Sequence, residues 1–234
     1  MVLAVLQARM SSTRLPGKVL RPILGAPMIA RQIERLRRAT RLTGLVVATS
    51  TGREDDVVEA CARDLGVGVF RGDLDDVLSR FHGAAMAYGA QDHLVRLTAD
   101  CPLADPVLID AVVARHLESG ADYTSNTAGA TFPKGLDVEV CSIPALETAW
   151  REAADPYERE HVTPFLYRHP ERFHLESVTR DPPQRYRWTV DTAEDFAFVE
   201  AVYGALYPRD PAFTSQAVLD WQDRHPDRVL VNSP

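Results

Sequence analysis

The segment LQARMSSTRLPGKVL (6–20) holds residue types that bind polyphosphates. It combines a Pro-Gly turn with three cations and three hydroxyl groups: Arg9, Arg14, Lys18, Ser11, Ser12 and Thr13. Cations, hydroxyls and the backbone N–H groups of a turn together suit a chain of phosphates. Gly17-Lys18 does not complete a P-loop, because position 12 lacks the glycine and Val19 stands where that motif needs Ser or Thr. A solvated basic loop is the alternative interpretation.

Two aspartates further along the chain could hold a hard cation beside such phosphates. Asp100 lies in RLTADCPLADP (96–106) and Asp191 in RWTVDTAEDF (187–196), each directly after a predicted strand. Carboxylates are suitable ligands for Mg²⁺, which often takes one or two of them together with phosphate oxygens. Asp100 could instead shape a turn, and Asp191 could belong to the acidic start of a helix.

The segment FPKGLDVEV (132–140) offers contacts for a small anionic substrate. Lys134 lies in a turn, where it could meet an anion, and the alternating strand that follows puts Asp137 and Glu139 on one face. A surface turn leading into an ordinary strand is the alternative.

A predicted helix over 157–169, interrupted at Pro164, carries Arg159 and His161 as further candidates. A helical histidine is more often packed or exposed than catalytic. Cys101, beside Asp100, could be read as a nucleophile, but no histidine partner is evident, and a small buried thiol is the better interpretation.

Composition limits the classes of protein to which the chain could belong. Its 234 residues are 45% hydrophobic and 25% charged, as in a soluble globular protein, and no apolar stretch is long enough for a membrane span. The net charge of −7 argues against non-specific nucleic-acid or membrane binding. Residues 1–41 nevertheless carry nine basic residues and a single acid, Glu34, which suggests a local anion site. The cysteines, Cys61, Cys101 and Cys141, are odd in number and far apart, which favours a reducing cytoplasm.

Strands alternate with helices in the first half of the chain. Apolar runs predict strands at four places: 2–6, 45–49, 67–70 and 93–97. Helical patterns of ten to fifteen residues follow them, which indicates βαβ crossovers. We therefore expect an α/β fold with a mostly parallel sheet and helices on both faces.

The pattern is mixed after residue 122. A strand is predicted at 136–140 and another at 186–190, and Thr192 is predicted to cap a helix that continues through Leu206. No linker is evident, so we expect a single domain over 1–234 with an inserted segment at about 130–180. Ligands of open parallel sheets bind at the carboxyl ends of the strands, where the polar segments are expected to meet.

These motifs occur in the order and spacing of a known family. The chain resembles the SpsF-like spore coat polysaccharide cytidylyltransferases through QARMSSTRLPGKVL, TADCPLADP, FPKGLDVEV, REHVTPFLY and VDTAEDF. More distant relatives activate acylneuraminate and 3-deoxy-manno-octulosonate with CMP. The resemblance implies a nucleotide-diphospho-sugar transferase-like fold. It also implies transfer of CMP from CTP to an acidic sugar, with release of pyrophosphate.

The resemblance also implies roles for individual residues. Five residues of the opening loop would bind the triphosphate: Ala8, Arg9, Ser12, Arg14 and Lys18. Arg71 would contact the nucleotide, and Mg²⁺ would be bound by Asp100 and Asp191, which form the catalytic set with Arg14 and Lys18. Five further residues are candidates for binding the acceptor: Lys134, Asp137, Glu139, Arg159 and His161. An arm within about 130–180 would join two subunits in a homodimer.

Two other functions fit the same residues. A nucleotidyltransferase for another base, or for a phosphorylated acceptor, would need the same loop and the same metal. A non-catalytic nucleotide-binding module on this fold would bind CTP without releasing pyrophosphate. The expected partners are CTP and a small anionic acceptor, without nucleic acid or membrane.

Overall fold

A central sheet forms the middle layer of the protein, for which the computed structural model describes residues 1–90, 92–184 and 186–228. The strands are β1 (Val2–Gln7), β2 (Pro22–Ile23), β3 (Ala26–Pro27), β4 (Gly44–Ser50), β5 (Gly68–Gly72), β6 (His93–Thr98), β7 (Tyr123–Ser125), β8 (Glu139–Ser142) and β9 (Leu175–Ser177). The central sheet has the order β5-β4-β1-β6-β8-β7-β9, and β2 and β3 pair separately. The first four strands in this order are mutually parallel, and β8 runs antiparallel to β6 and β7. The predicted mostly parallel sheet is confirmed.

Helices cover both faces of this sheet. They are α1 (Met28–Leu36), α2 (Asp56–Asp64), α3 (Val77–Ala87), α4 (Pro106–Ser119), α5 (Ile143–Glu152), α6 (Pro156–His161), α7 (Pro164–Tyr167), α8 (Ala193–Leu206) and α9 (Ser215–Arg224). Short 3-10 turns lie at Lys18–Leu20, Arg53–Asp55 and Pro226–Arg228. Side chains of α1, α2 and α4 pack on one face of the sheet, and those of α3, α5 and α7 pack on the other.

Strand β1 shows why its run of apolar residues is needed. Ala4 and Leu6 enter the first hydrophobic cluster, whereas Leu3 and Val5 enter the second, because successive side chains of a strand point to opposite faces. A strand covered by helices on both faces must be apolar at every position rather than at alternate ones.

The order of the parallel strands fixes where a ligand can bind. The chain proceeds from β1 outward to β4 and β5, and it then returns to place β6 on the other side of β1. The crossovers on either side of β1 therefore diverge, which opens a crevice at the carboxyl ends of β1 and β6. The opening loop follows β1 and Asp100 follows β6, so both reach this crevice.

Helices α8 and α9 form a third hydrophobic cluster at this end of the molecule. Trp188 and Val190 are fully buried in it, and Trp188 Nε1 donates to Gln222 Oε1 of α9 over 2.8 Å. Helix α8 begins with the predicted cap: Thr192 accepts from the Asp195 backbone, and Asp195 accepts from the Thr192 backbone. This capping box fixes the point at which the chain leaves Asp191.

The predicted strand at 186–190 is wrong. Its backbone divides its hydrogen bonds between two partners, because Trp188 and Thr189 donate to the Lys134 carbonyl whereas Val190 donates to the Asp100 carbonyl. A regular ladder with one neighbouring strand therefore cannot form, and Lys134 and Arg187 form only an isolated bridge.

Two other predicted elements are shorter than expected. The strand predicted at 136–140 begins only at Glu139, because the side chain of Asn126 bonds to the backbone of Leu136 and Val138. The helix predicted at 157–169 divides into α6 and α7 at Val162, whose φ of 74° belongs to no helix.

The range 130–180 contributes β8 and β9 to the central sheet, so these parts of the expected arm are integral to the domain. Its role in joining two subunits stays a prediction.

In the described part of the chain, no helix combines the length and the apolar character that crossing a membrane requires.

Candidate active site

The opening loop is held in one shape by its own backbone and by a buried carboxylate. The Met10 carbonyl accepts from the backbone of Ser12 over 2.9 Å and of Gly17 over 3.0 Å, and Gly17 adopts a left-handed φ of 70°. Asp55, which is fully buried, accepts from the Met10 backbone over 2.7 Å and also from the backbone and hydroxyl of Ser50. The loop is therefore anchored to β4 before any ligand arrives.

Lys18 brings the two predicted metal ligands together. Its ammonium nitrogen donates to the Val190 carbonyl over 2.6 Å, and it lies 3.1 Å from Asp191 Oδ1 and 3.6 Å from Asp100 Oδ2. The Lys18 residue is only 8% exposed, so this charge is held in place with little water around it. Residues from three distant parts of the sequence thus meet at the carboxyl ends of β1 and β6.

Asp191 is surrounded by cations. Arg14 lies 3.0 Å and Arg187 2.6 Å from its Oδ2 atom, in addition to Lys18 at Oδ1. Burial alone would raise the pKa of Asp191, but the hydrogen bond from Arg187 and the charge of Lys18 outweigh burial and lower that pKa. Asp191 is therefore a permanent anion at neutral pH. The sequence interpretation missed Arg187, because a spacing of four residues predicts side-chain contact only within a helix and this segment is not helical.

Arg14, Lys18 and Asp191 line a cavity of 310 Å³, the first cavity, between the opening loop and β6. All five loop residues predicted to bind a triphosphate contribute to its wall: Ala8, Arg9, Ser12, Arg14 and Lys18. Its volume lies at the lower end of the range for small-molecule sites. Its lining includes four cationic side chains, Arg9, Arg14, Lys18 and Arg96, which suit a polyphosphate.

A second cavity of 530 Å³ adjoins the first. Four of the predicted acceptor residues lie on it: Lys134, Asp137, Glu139 and His161. Six residues line both cavities and are called here the shared wall: Arg14, Arg96, Thr98, Asp100, His161 and Asp191. Ligands bound in the two cavities would both contact Asp100 and Asp191.

Arg96 is a member of the shared wall that the sequence interpretation did not single out. Its guanidinium pairs with Glu139 on the neighbouring strand, and Glu139 also accepts from the hydroxyls of Tyr123 over 2.5 Å and Thr163 over 2.6 Å. Burial acts to lower the pKa of Arg96, but the charge of Glu139 and its hydrogen bond, with smaller contributions from Tyr123 and Asp100, together outweigh burial and raise that pKa, so the guanidinium stays charged. Because three donors already occupy Glu139, this carboxylate positions Arg96 and is poorly suited to contact substrate itself.

Two predicted contacts lie away from the shared wall. Arg71, at the end of β5, is engaged by Asp56 and Glu59 and borders neither cavity. Arg159 is paired with Asp76 at 2.6 Å and borders a separate depression beside Arg9. The structure therefore gives no support to Arg71 as a nucleotide contact or to Arg159 as an acceptor contact.

Cys101 is a buried thiol, as expected. It is 4% exposed, and burial together with the charge of Asp100 raises its pKa well above the usual value. A thiol that resists ionisation is a poor nucleophile.

Asp100 and Asp191 could together hold a divalent cation. In the described ranges, no group of three or more His, Cys, Asp or Glu side chains is arranged to hold a metal ion. The two carboxylates nevertheless approach one common point, which Lys18 marks. The Lys18 ammonium occupies this point in the structure, so a divalent cation would bind there only after displacing it. The two carboxylates would then supply two oxygen ligands, and phosphate and water would supply the rest, as is common for Mg²⁺.

A sheet with this switch point, together with a cationic loop and two carboxylates at its edge, has the features of a nucleotide-binding enzyme site. Residues 3–205 match the cytidylyltransferase family. The spore coat polysaccharide biosynthesis protein SpsF of Bacillus subtilis is 35% identical over 236 residues, which cover 97% of this chain and 95% of that protein. The chain therefore belongs to the cytidylyltransferase family, which confirms the resemblance that the motifs indicated.

Solved structures agree with this assignment. A cytidylyltransferase from Leptospira borgpetersenii has a TM-score of 0.93 and 31% identity, with 100% of this chain and 98% of that chain covered. A CMP:2-keto-3-deoxy-manno-octonic acid synthetase complexed with CTP has a TM-score of 0.64 at 17% identity, over 87% of this chain and 98% of that one. At this lower identity the likeness concerns the fold alone.

Proposed function

We propose that this protein transfers CMP from CTP to an acidic sugar, with release of pyrophosphate. The observation that carries the proposal is the pair of adjoining cavities that meet at Arg14, Asp100 and Asp191. The first cavity suits the triphosphate, and the adjoining second cavity suits the acceptor. Such an arrangement supports in-line attack on the α-phosphorus, for which positioning and charge neutralisation matter more than covalent help.

The residues of the shared wall have separable tasks in this reaction. Lys18 and Arg14 hold phosphate oxygens and offset the charge that develops on the leaving pyrophosphate. Mg²⁺ held by Asp100 and Asp191 would polarise the phosphoryl group when bound. Lys134, which lines the second cavity, is an exposed cation available for a carboxylate of the acceptor.

The proposal is tested by pyrophosphate release with each of CTP, UTP, ATP and GTP, in the presence of Mg²⁺ and a panel of acidic sugars. We expect release with CTP and an acidic sugar, and a CTP-dependent rise in melting temperature without the sugar. Release with another nucleotide would contradict the choice of base. Release only with a phosphorylated polyol or a phosphonate would contradict the acidic sugar, and CTP binding without any release would indicate a non-catalytic module.

The homodimer and the cytoplasmic location expected from the sequence are separate proposals. The first is tested by the mass of the protein in solution, measured by light scattering. A mass equal to that of one chain would contradict it.

A further inference from the structure

Asp137 faces the second cavity from a segment that is otherwise buried. Its neighbours Leu136 and Val138 are 3% and 2% exposed and pack in the hydrophobic clusters, whereas Asp137 lines the cavity together with Asp100 and Lys134. Alternation along an extended segment explains this opposite orientation.

Asn126 fixes the backbone on both sides of Asp137. Its amide nitrogen donates to the Leu136 carbonyl over 2.8 Å, and its carbonyl oxygen accepts from the Val138 backbone over 2.7 Å. Asn126 is 2% exposed, so both bonds are protected from water. One side chain thus takes the place of a neighbouring strand and holds the Asp137 peptide in a single orientation.

The segment that carries Asp137 is also joined to those that carry Asp191 and Asp100. The Lys134 carbonyl accepts from Trp188 over 2.7 Å and from Thr189 over 3.0 Å, and the Asp100 carbonyl accepts from Val190 over 2.8 Å. At Gly135, with φ of 107°, an added Cβ would lie 2.5 Å from the Thr189 nitrogen, so only glycine permits this approach. The three carboxylates are therefore held on one rigid frame.

Asp137 differs from the other carboxylates of the site in what it contacts. Glu139 pairs with Arg96, and Asp100 and Asp191 pair with Lys18, whereas Asp137 forms no ion pair with any of the described residues. Burial raises the pKa of Asp137 to about 6, with further contributions from the charges of Glu139 and Asp100 and an opposing one from Lys134. The other titratable or charged side chains on this cavity are Arg14, Arg96, Cys101, Tyr157, His161, Tyr167 and Asp191. A carboxylate of this kind is ionised at pH 7 and still basic enough to accept a proton.

We propose that Asp137 is the general base that takes the proton of an acceptor hydroxyl as its oxygen attacks the α-phosphorus of CTP. This inference rests on the proposed function and narrows its acceptor to one that attacks through a hydroxyl group. The new bond joins that oxygen to the α-phosphorus. The bond to the bridging oxygen breaks, its electron pair leaves with pyrophosphate, and the proton passes to an Asp137 oxygen and then to solvent. A phosphate acceptor is already deprotonated and would need no such base.

The test compares Asp137→Asn with the wild type in pyrophosphate release, measured against pH at saturating CTP and acceptor. We expect kcat to fall by about 10²-fold or more, and the acid limb that the wild type shows near pH 6 to disappear. Titration of CTP itself affects both proteins equally. The rise in melting temperature with CTP should be unchanged, because Asp137 does not line the first cavity. Asp64→Asn, on the exposed end of α2, is the matched control and should keep the wild-type kcat.

A second variant separates chemistry from folding. Formate or acetate should restore part of the activity of Asp137→Ala, which loss of structure alone would not allow. A fully active Asp137→Asn with an unchanged acid limb overturns the inference and leaves the proposed function intact. A wild type that releases no pyrophosphate with any nucleotide and acceptor overturns the proposed function, and the inference with it.

Discussion

Replacing Lys18 by methionine removes one charge and retains nearly all of the side-chain length. The ammonium group lies 3.1 Å from Asp191 Oδ1 and 3.6 Å from Asp100 Oδ2. Without it, Asp191 keeps Arg14 and Arg187, but Asp100 loses its ion pair and the Val190 carbonyl loses its donor.

The size of the effect follows from these contacts. Each ion pair has a Coulomb energy of about 5 kcal/mol at an effective dielectric constant of 20, most of which desolvation offsets. Hydrogen bonds to charged groups contribute about 1.5–3 kcal/mol net. We therefore expect Lys18→Met to lower the free energy of unfolding by about 2 kcal/mol, which lowers the melting temperature by about 4–8 °C. Pyrophosphate release should fall by about 10²–10³-fold, as for a lost oxyanion donor.

Lys134, the other lysine of the chain, provides a matched control. Its side chain is exposed and borders only the second cavity, so Lys134→Met should keep the wild-type melting temperature and its rise with CTP. Thermal unfolding with and without CTP, followed by the pyrophosphate assay, measures both effects. A Lys18→Met protein with wild-type melting temperature and wild-type release would refute the assignment of Lys18 to the phosphates.

Two further predictions concern buried polar groups. Asp55→Asn should lower the free energy of unfolding by about 1–3 kcal/mol and weaken CTP binding. Met10 donates to one carboxylate oxygen of Asp55 and Ser50 to the other, whereas an amide has only one acceptor oxygen. Chemical denaturation and CTP titration measure these effects, and unchanged values would contradict the anchoring role. Burial and the charge of His93 lower the pKa of His116 from 6.5 to about 4. Between these pH values the unfolded chain is protonated at His116 and the folded protein is not. The free energy of unfolding therefore decreases by up to about 3 kcal/mol as the pH falls from 6.5 to about 4. His116→Gln should flatten that dependence in denaturant titrations at the two ends of the range, and an equally steep dependence would show that other groups cause it.

The sequence predicted the parts of the site that follow from general rules. The opening loop with Lys18 and the turn with Asp100 follow β1 and β6, and the carboxyl ends of parallel strands meet at one edge of an open sheet. Asp191 reaches the same place although the segment before it is not a strand of the sheet. The fold class followed from the alternation of strands and helices. These inferences depend on spacing along the chain, which a single sequence displays.

Residues that act through partners distant in sequence were not predictable in the same way. The sequence does not indicate that the side-chain amide of Asn126 bonds to the backbone of Leu136 and Val138, which lie at least ten residues further along the chain. Arg71 and Arg159 resemble ligand contacts until their acidic partners are known. The segment at 186–190 resembles a strand because its hydrophobic pattern indicates burial. That pattern does not indicate which backbone groups form hydrogen bonds with each other.

The shared wall has a consequence for affinity. Because Arg14, Arg96 and Asp191 line both cavities, we expect the free energy of binding one ligand to depend on whether the other is present. This coupling is reciprocal: the factor by which CTP changes the dissociation constant of the acceptor equals the factor by which the acceptor changes that of CTP. An unreactive analogue of the true acceptor can therefore be recognised by its effect on nucleotide affinity, before any turnover is measured.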